Sequence, residues 1–366
     1  MVILAVVGAD SLLARHLTSL LFSPLSPLPH PPSEIRLWSR EETSHPLSLD
    51  SQSSSSLIFF HGDHRLEETV EGAEVVINCH ECVDWSLLPD ESKLQRENVD
   101  VPLRILSVIS PSARLIHISS TFVQSWGRWP NIAGKEQQAG DYATGWPFQA
   151  YCASRVEGEK AVLDREGATL VVRVPPLYGE GDEKSPLTDI IKASSLFSST
   201  IPFIGDGDGC TQFSYAGNVA MGIVRGMNEC LEKKEDDHLR RVVIIGDDTP
   251  INNTYTTVLP MVQNGKLGVS SFSIPFYLFF LSYFLFASLL RLLSRVVEIS
   301  STIRKFPDPW VFYFFFRHWT FFSSFKARFF LNHTDPFTKE ESLARSAAYY
   351  RKLDPAKILQ YSWEGR

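Results

Sequence analysis

The chain has 366 residues, of which 44% are hydrophobic and 21% are charged, so its composition excludes a disordered protein and allows a sizeable core. Its formal net charge of −7 argues against a nucleic-acid-binding protein. The five cysteines are scattered, and Cys79 and Cys82 have no second pair with which to complete a zinc site, so we predict buried thiols and no metal site.

Short apolar segments, taken in chain order, predict the strands of a parallel sheet. They comprise residues 2–7, 35–40, 57–63, 73–79, 113–120, 168–174 and 241–247. Helical patterns occupy several of the gaps, at residues 11–22, 89–109 and 151–165. Strands that alternate with helices indicate an α/β protein, and the right-handed crossover rule makes a doubly wound, Rossmann-like parallel sheet the simplest topology.

The turn after the first strand predicts a weak dinucleotide-binding site. Gly8 is in place for the tight turn, but the next two positions at three-residue spacing are Ser11 and Ala14 rather than glycine. The Ser11 hydroxyl could hydrogen-bond to the phosphates or obstruct them. Ala14 is a mild change at a contact between helix and strand.

The residues after the second and third strands bear on which dinucleotide would bind. Ser39 and Arg40 stand where an acidic residue would bind the adenosine ribose, and a hydroxyl with a guanidinium suits a 2′-phosphate. This pattern favours NADP over NAD, while a solvated loop arginine stays equally open. Asp63 lies where an adenine amino group could be read, and His80 and Glu81 fall close to the cofactor path, where small residues would leave more room.

Two aromatic-rich stretches near the end of the chain predict membrane association. Residues 272–290 carry no charge and are closed by Arg291 and Arg295, a length that can cross the ~30 Å hydrocarbon layer as a helix. A buried core helix is the alternative. Residues 310–330 contain interspersed basic side chains and are typical of a helix lying at the membrane interface.

The segments also occur in a recognisable order: "GADSLLARHL", "GDHRLEETVEGAEVVINC", "NVDVPLRIL", "RLIHISSTFV", "YCASRVEGEKAVL", "VVRVPPLYGEGD", "GDGDGCTQFSYAGNVA" and "AAYYRKLDPAKILQYSWEG". With these pieces the chain resembles the 3β-hydroxysteroid dehydrogenase/isomerase family of extended short-chain dehydrogenases/reductases. The resemblance covers most of the chain. No single motif is decisive, but their order and spacing together are specific.

The resemblance implies a catalytic set of three side chains. Tyr151 would take the proton of the substrate hydroxyl, and Ser120 would hold the substrate oxygen. A lysine should lower the tyrosine pKa and bind the nicotinamide ribose, but this chain has Arg155 at that position. A guanidinium supplies the charge without being able to lose a proton, so an impaired or altered site is expected. Pro175 would shape the loop that meets the nicotinamide amide.

The resemblance implies a membrane-associated oxidoreductase that uses NAD or NADP on the 3β-hydroxyl or ketone of a sterol-like lipid. The alternative is a catalytically impaired relative that binds a nucleotide, a lipid or a partner while anchored to the membrane. The expected location is the endoplasmic reticulum, with the catalytic domain facing the cytoplasm, and homo-oligomer formation is left open.

Four regions are expected along the chain. Residues 1–184 form the nucleotide-binding domain with the catalytic helix, and residues 185–271 form a substrate-binding region that returns one strand to the sheet. Residues 272–330 are expected to be a membrane-embedded pair of helices. Residues 331–366 would then pack back on the soluble domain, with both ends on the cytoplasmic side.

Overall fold

We describe the protein from a computed structural model. It describes residues 2–42, 56–127, 129–135, 142–143, 145–194, 200–232, 241–262 and 267–353. Of the expected closing segment 331–366, residues 354–366 therefore lie outside the described residues.

The strands and helices have the following bounds. The strands are β1 (Ile3–Val7), β2 (Glu34–Ser39), β3 (Ser56–His61), β4 (Val75–Asn78), β5 (Arg114–Ser120), β6 (Asn131–Gly134), β7 (Thr169–Val174), β8 (Leu177–Tyr178), β9 (Thr200–Ile204), β10 (Cys210–Thr211), β11 (Ser214–Tyr215), β12 (Val242–Ile244), β13 (Gly268–Ile274) and β14 (Trp319–Phe322). The helices are α1 (Leu12–Leu21), α2 (Leu66–Val70), α3 (Glu91–Gln95), α4 (Val101–Val108), α5 (Gln149–Leu163), α6 (Pro186–Ser194), α7 (Ala216–Glu232), α8 (Thr254–Val262), α9 (Phe276–Leu293), α10 (Ser300–Ile303), α11 (Pro309–Phe316), α12 (Phe325–Phe330) and α13 (Lys339–Tyr350).

The main sheet has seven parallel strands in the order β12-β7-β5-β4-β1-β2-β3. Strand β1, inside the sheet, is apolar on both sides because both faces of the sheet are covered by helices. Leu4 and Val6 pack in the core beneath α1 and α7, whereas Ala5 and Val7 pack in the core beneath α2 and α4. The predicted doubly wound, Rossmann-like fold is therefore confirmed.

The rest of the chain builds a smaller region beside the carboxyl ends of the strands. It contains three small sheets, β10-β14-β6, β11-β8 and β13-β9, around an aromatic core that includes Phe122, Phe213 and Phe315. The chain then returns through α13, which begins with a capping box between Thr338 and Glu341. β12, from the region expected to bind substrate, lies at the edge of the main sheet.

The closing helix is anchored next to the main sheet by two tyrosines. The Tyr350 hydroxyl donates to Asp182 Oδ2 at 2.5 Å, and the Tyr349 hydroxyl donates to the Asp182 backbone carbonyl at 3.0 Å. Asp182 also accepts hydrogen bonds from Ser185 and Thr188 at the start of α6. These bonds hold the closing helix on the same side of the molecule as the nucleotide-binding half.

The structure of the two aromatic stretches differs from the one predicted from the sequence. Residues 272–274 belong to β13, which pairs with β9, so the apolar helix begins only at Phe276. The second stretch is not one interfacial helix, because it divides into α11, β14 and α12. Phe314 and Phe315 are buried in the aromatic core, and β14 pairs with β10 and β6, so this stretch packs into the smaller region.

Helix α9 is the one candidate membrane span among the described residues, and most of its side chains are exposed. It is nevertheless attached to the domain along its length: Phe276 is buried, and the Tyr283 hydroxyl donates to the Pro307 carbonyl at 2.8 Å. At its far end Arg291 donates to the Leu87 carbonyl at 3.2 Å and to Asp308 at 2.5 Å. A helix of this length, about 27 Å, that is held at both ends by one domain lies along that domain.

Candidate functional site

The carboxyl ends of the sheet strands bring most of the sequence-predicted site residues to one edge. Gly8 follows β1, Ser120 ends β5 and Pro175 follows β7. Together with Ser11 and Tyr151 they line a cavity of about 190 Å³. Ser39, Arg40 and Asp63 also follow their strands at this edge, but they do not line this cavity.

The turn at Gly8 is suited to the close approach of a phosphate. Gly8 has φ +84°, and a Cβ there would lie 2.6 Å from the backbone of His80. The next residues lead into α1, whose amino terminus borders the cavity and favours an anion. Ser11 caps this helix, since its Oγ accepts from the Ala14 amide at 3.2 Å. The Ser11 hydroxyl thus has a local partner, and Ala14 is fully buried.

Ser39 and Arg40, which the sequence suggested as a 2′-phosphate site, already have partners within the protein. Arg40 donates to Asp63 at 2.8 Å and to Glu97 at 2.9 Å. The Ser39 hydroxyl is buried and donates to the Glu41 carbonyl at 2.7 Å. With a hydroxyl and a guanidinium both engaged, the structure does not support the NADP preference inferred from these two residues.

Glu97 is the centre of this ion-pair network. Its carboxylate accepts from Arg40, from His80 Nε2 at 2.8 Å and from Arg96 at 2.9 Å. Burial acts to raise the pKa of Glu97, but the hydrogen bonds from His80 and Arg96 outweigh it and lower the pKa to about 2. The charge of Glu97 is therefore held in the folded protein across the physiological pH range.

Tyr151 and Ser120 meet at the inner end of the cavity, as the catalytic prediction requires. Tyr151 lies on α5 and is only 2% exposed. Ser120 Oγ accepts from the Phe122 amide at 3.2 Å, and its side chain also hydrogen-bonds to Tyr151. The Tyr151 hydroxyl itself donates to Glu81 Oε1.

The contact with Glu81 changes the acidity of the tyrosine. Burial raises the pKa of Tyr151 well above its ordinary value, and the Glu81 carboxylate raises it further. The positive charge of Arg155 acts in the opposite direction but does not prevail. Arg155 thus lowers the pKa of Tyr151, the direction expected of residue 155, but burial and Glu81 outweigh it, and Tyr151 is a protonated hydrogen-bond donor here.

Arg155 is buried and is held by the protein backbone. Its guanidinium donates to the Ile118 carbonyl and, at 3.5 Å, to the His80 carbonyl. Its Nε lies 3.8 Å from Glu81 Oε1. The guanidinium thus neutralises Glu81 instead of reaching out to a ribose, as a lysine at this position would be expected to do.

Two features behind the site were not found by sequence reasoning. A π-helical turn at Arg96–Asp100 carries Glu97 and Asn98. The Asn98 side-chain amide accepts a hydrogen bond from the Cys82 N–H and donates one to the Cys82 carbonyl, both at 2.9 Å. Buried Glu159 on α5 pairs with buried Arg173 on β7. The sequence pattern carries no signal for either feature, because both depend on contacts between distant segments.

A second, larger cavity of about 430 Å³ adjoins the first. Val83, Trp85 and Pro186 line both cavities. Most of the larger cavity's other lining side chains are apolar: Ile190, Ile201, Pro202, Ile204, Ile274, Phe279, Phe306, Pro307, Val311, Phe312, Phe315 and Phe316. Phe279 and Tyr283 of α9 form part of its wall, so the exposed apolar helix borders a space that leads towards Tyr151.

The site fits a dinucleotide at its phosphate end. Gly8 lets the turn lie directly against the His80 backbone, where a Cβ would clash, and the amino terminus of α1 borders the cavity. At the other end, the Glu81 carboxylate stands beside Tyr151, where the resemblance implies a nicotinamide ribose. The glycine turn expected for a dinucleotide is thus present. The tyrosine, however, is hydrogen-bonded to Glu81, where the resemblance implies a ribose and a lysine.

Solved structures of other proteins with the same fold match this protein over nearly its whole chain. UDP-glucuronic acid 4-epimerase from Bacillus cereus, solved with UDP-glucuronic acid and NAD, is 15% identical with a TM-score of 0.64, over 96% of this chain and 100% of that one. DesIV, a dTDP-glucose 4,6-dehydratase from Streptomyces venezuelae solved with NAD and TYD, is 16% identical with a TM-score of 0.65, over 96% and 97%. At these identities the likeness shows the fold alone.

A search of curated protein sequences found no match. The family model for the NAD dependent epimerase/dehydratase family matches residues 4–244. These findings support the larger extended short-chain dehydrogenase/reductase group, not the narrower steroid dehydrogenase family of the resemblance. Since the matched residues are more than half of the chain, this protein belongs to the NAD dependent epimerase/dehydratase family.

Proposed function

We propose that this protein is a membrane-bound oxidoreductase that transfers hydride between NAD and the 3β-hydroxyl or ketone of a sterol-like lipid. The observation that carries the proposal is the pair of joined cavities. The larger one has a mostly apolar lining and a volume of about 430 Å³, within the ~300–1,000 Å³ of typical small-molecule sites. It is bordered by α9 and shares Val83, Trp85 and Pro186 with the cavity that Tyr151 and Ser120 line.

NAD is the cofactor named for the family, and the turn at Gly8 supports its binding here. When bound, the dinucleotide accepts or supplies the hydride. Ser120 would orient the substrate oxygen, and Tyr151 would exchange a proton with it. The solved relatives carry nucleotide sugars, whose charged diphosphates are poorly matched to the mostly apolar lining of the larger cavity.

The lipid substrate can be tested by filling the larger cavity. Ile190 lies on α6, is half-buried and lines only this cavity. We expect Ile190→Trp to weaken sterol binding and turnover at least about tenfold, since the indole occupies the substrate's volume. NADH binding, measured by fluorescence, should be unchanged.

Leu103→Trp is the matched control, because Leu103 is exposed on α4. It should leave sterol binding, turnover and NADH binding unaltered. Unchanged sterol binding in Ile190→Trp, or turnover of a nucleotide sugar, would contradict the proposed substrate.

We further propose that α9 lies in the plane of the membrane and anchors the protein, at the cytoplasmic face of the endoplasmic reticulum. One stripe of the helix is exposed and apolar, and it comprises Tyr277, Leu278, Leu281, Phe284, Leu285, Leu289 and Leu292. Its opposite side contacts the domain through Phe276 and Ala287, which are buried. An apolar stripe on a helix held at both ends fits insertion into one leaflet.

Replacing Leu281, Leu285 and Leu289 together by glutamate should release the protein from vesicles. Three leucines at ~1.5–3 kcal/mol each correspond to a loss of partitioning of about a thousandfold or more. Vesicle flotation measures this directly. Leu25→Glu, at an exposed leucine outside α9, is the control and should still float. Continued flotation of the triple variant would exclude α9 as the anchor.

A second candidate function is a relative without dehydrogenase activity that binds a nucleotide or lipid at the membrane. The observation that favours it is the Tyr151 hydroxyl donating to Glu81, together with an arginine at position 155. Such a protein would bind NADH or a sterol but would turn over neither lipid alcohols nor ketones.

A further inference from the structure

The carboxylate of Glu81 connects the buried tyrosine to solvent. Tyr151 is only 2% exposed and donates its hydroxyl proton to Glu81 Oε1, whereas the Glu81 side chain is 34% exposed. Arg155 Nε lies 3.8 Å from the same carboxylate oxygen and is itself buried. Tyr151 and Glu81 therefore connect the inner end of the cavity to water, with Arg155 beside the carboxylate.

We propose that Glu81 is the proton acceptor of Tyr151, in the role that the family resemblance assigns to a lysine at position 155. This inference rests on the proposed oxidoreductase function and names the residue that completes its proton path. A guanidinium does not release a proton at physiological pH, whereas a carboxylate both accepts and releases one. Arg155 acts as a positioning residue, since its fixed charge holds the carboxylate beside the tyrosine.

The proton path balances for oxidation of an alcohol. As hydride leaves the carbinol carbon for oxidised NAD, the O–H bond of the substrate breaks and its electron pair forms the carbonyl. The substrate proton passes to the Tyr151 oxygen while the tyrosyl proton passes to Glu81, which then releases it to solvent. The products are a ketone, reduced NAD and one proton, and Tyr151 ends as it began.

The charged groups that face Tyr151 leave Glu81 as the acceptor. Arg155 shares the face of α5 and cannot accept a proton. His117 on β5 is buried, and burial together with Arg155 lowers its pKa well below the ordinary value, so it is a weak proton acceptor. Glu97 is bonded to His80, Arg40 and Arg96. The remaining neighbour, Cys152, is a buried thiol whose pKa is raised by that burial.

The test combines turnover with a titration that needs no substrate. In the native protein, sterol alcohol oxidation should reach its plateau by neutral pH, because Tyr151 never has to be tyrosinate. Glu81→Gln removes the acceptor, so Tyr151 must first lose its own proton. Its oxidation rate should fall at least about a hundredfold at pH 7 and should rise with pH into the alkaline range.

Ultraviolet absorbance of tyrosinate follows Tyr151 directly, after subtraction of the signal of a Tyr151→Phe variant. Since the Glu81 carboxylate raises the tyrosine pKa, Glu81→Gln should shift the ionisation of Tyr151 to lower pH by at least about one unit. Glu157→Gln, at an exposed position on the same helix, should change neither the rate nor the titration.

The outcomes separate this inference from the proposed function. A slow Glu81→Gln enzyme with a lowered tyrosine titration supports Glu81 as the acceptor. Full or increased turnover in Glu81→Gln at neutral pH overturns it, and so does an unshifted titration. If the native protein oxidises no sterol alcohol, the proposed function fails, and the titration still decides whether Glu81 and Tyr151 share a proton.

Discussion

Replacement of Arg173 by methionine is expected to lower the free energy of unfolding by about 3–5 kcal/mol. Arg173 on β7 and Glu159 on α5 are both fully buried, and the guanidinium donates to both carboxylate oxygens, to Oε2 at 3.2 Å. Ser119 Oγ also donates to Glu159 at 2.7 Å. Without Arg173, the carboxylate would stay buried with no opposite charge, and that desolvation is what destabilises the variant.

The same pair attaches α5, the helix that carries Tyr151, to β7, and the Ser119 hydroxyl links Glu159 to β5, the strand that carries Ser120. We therefore expect Arg173→Met to weaken activity as well as stability, since the two hydroxyls lose their common support. Urea unfolding in detergent measures the stability change. Adding Glu159→Leu to the variant should recover much of the loss, because the unpaired charge is then removed.

Arg328→Met is the surface control for this experiment. Arg328 pairs with Asp248 at 2.5 Å, but both side chains are about half exposed or more. An exposed ion pair contributes at most about 1 kcal/mol. If Arg173→Met were no more destabilising than Arg328→Met, the buried pair would not be the support of α5 that the structure indicates.

The second large effect is expected at the first turn of the sheet, where Gly8→Ala should destabilise the protein and abolish NADH binding. The added Cβ would lie 2.6 Å from the His80 Cα and N, and backbone atoms so close must move. The left-handed conformation of residue 8, with φ +84°, costs a further ~1–2 kcal/mol for alanine. We expect a total loss of at least about 3 kcal/mol.

Gly72→Ala separates the two contributions. Gly72 has a similar φ of +70°, but a Cβ there would meet nothing within 4 Å. This variant should lose only the conformational part, about 1 kcal/mol, and should bind NADH normally. Equal losses in the two variants would contradict a close contact at Gly8.

Much of the fold follows from the sequence because the main sheet is buried on both faces. The apolar run at residues 2–7 is a strand whose side chains alternate between two cores, as Leu4 and Ala5 show. The order of strands and helices then leaves few topologies. The sequence likewise predicted Ser120 at the carboxyl end of a strand, and the resemblance paired it with Tyr151 on a helix; both line one cavity.

The chemical environment of those residues depended on side chains from distant segments. Arg40 suggested a phosphate site, but Asp63 and Glu97 reach it across 23 and 57 residues of sequence. Glu81 was recognised as close to the cofactor path, yet its bond to Tyr151 spans 70 residues. Local patterns carry no information on such contacts, since they describe only neighbours along one element.

The sequence by itself determined that residues 272–290 are apolar enough for lipid, because hydropathy is a property of composition. It did not determine how this stretch is attached to the rest of the protein. That depended on β13 pairing with β9 before the helix and on Arg291 contacting Leu87 and Asp308 at its end. Only the tertiary structure holds both ends to one domain, and a helix so held lies along that domain with one apolar face exposed.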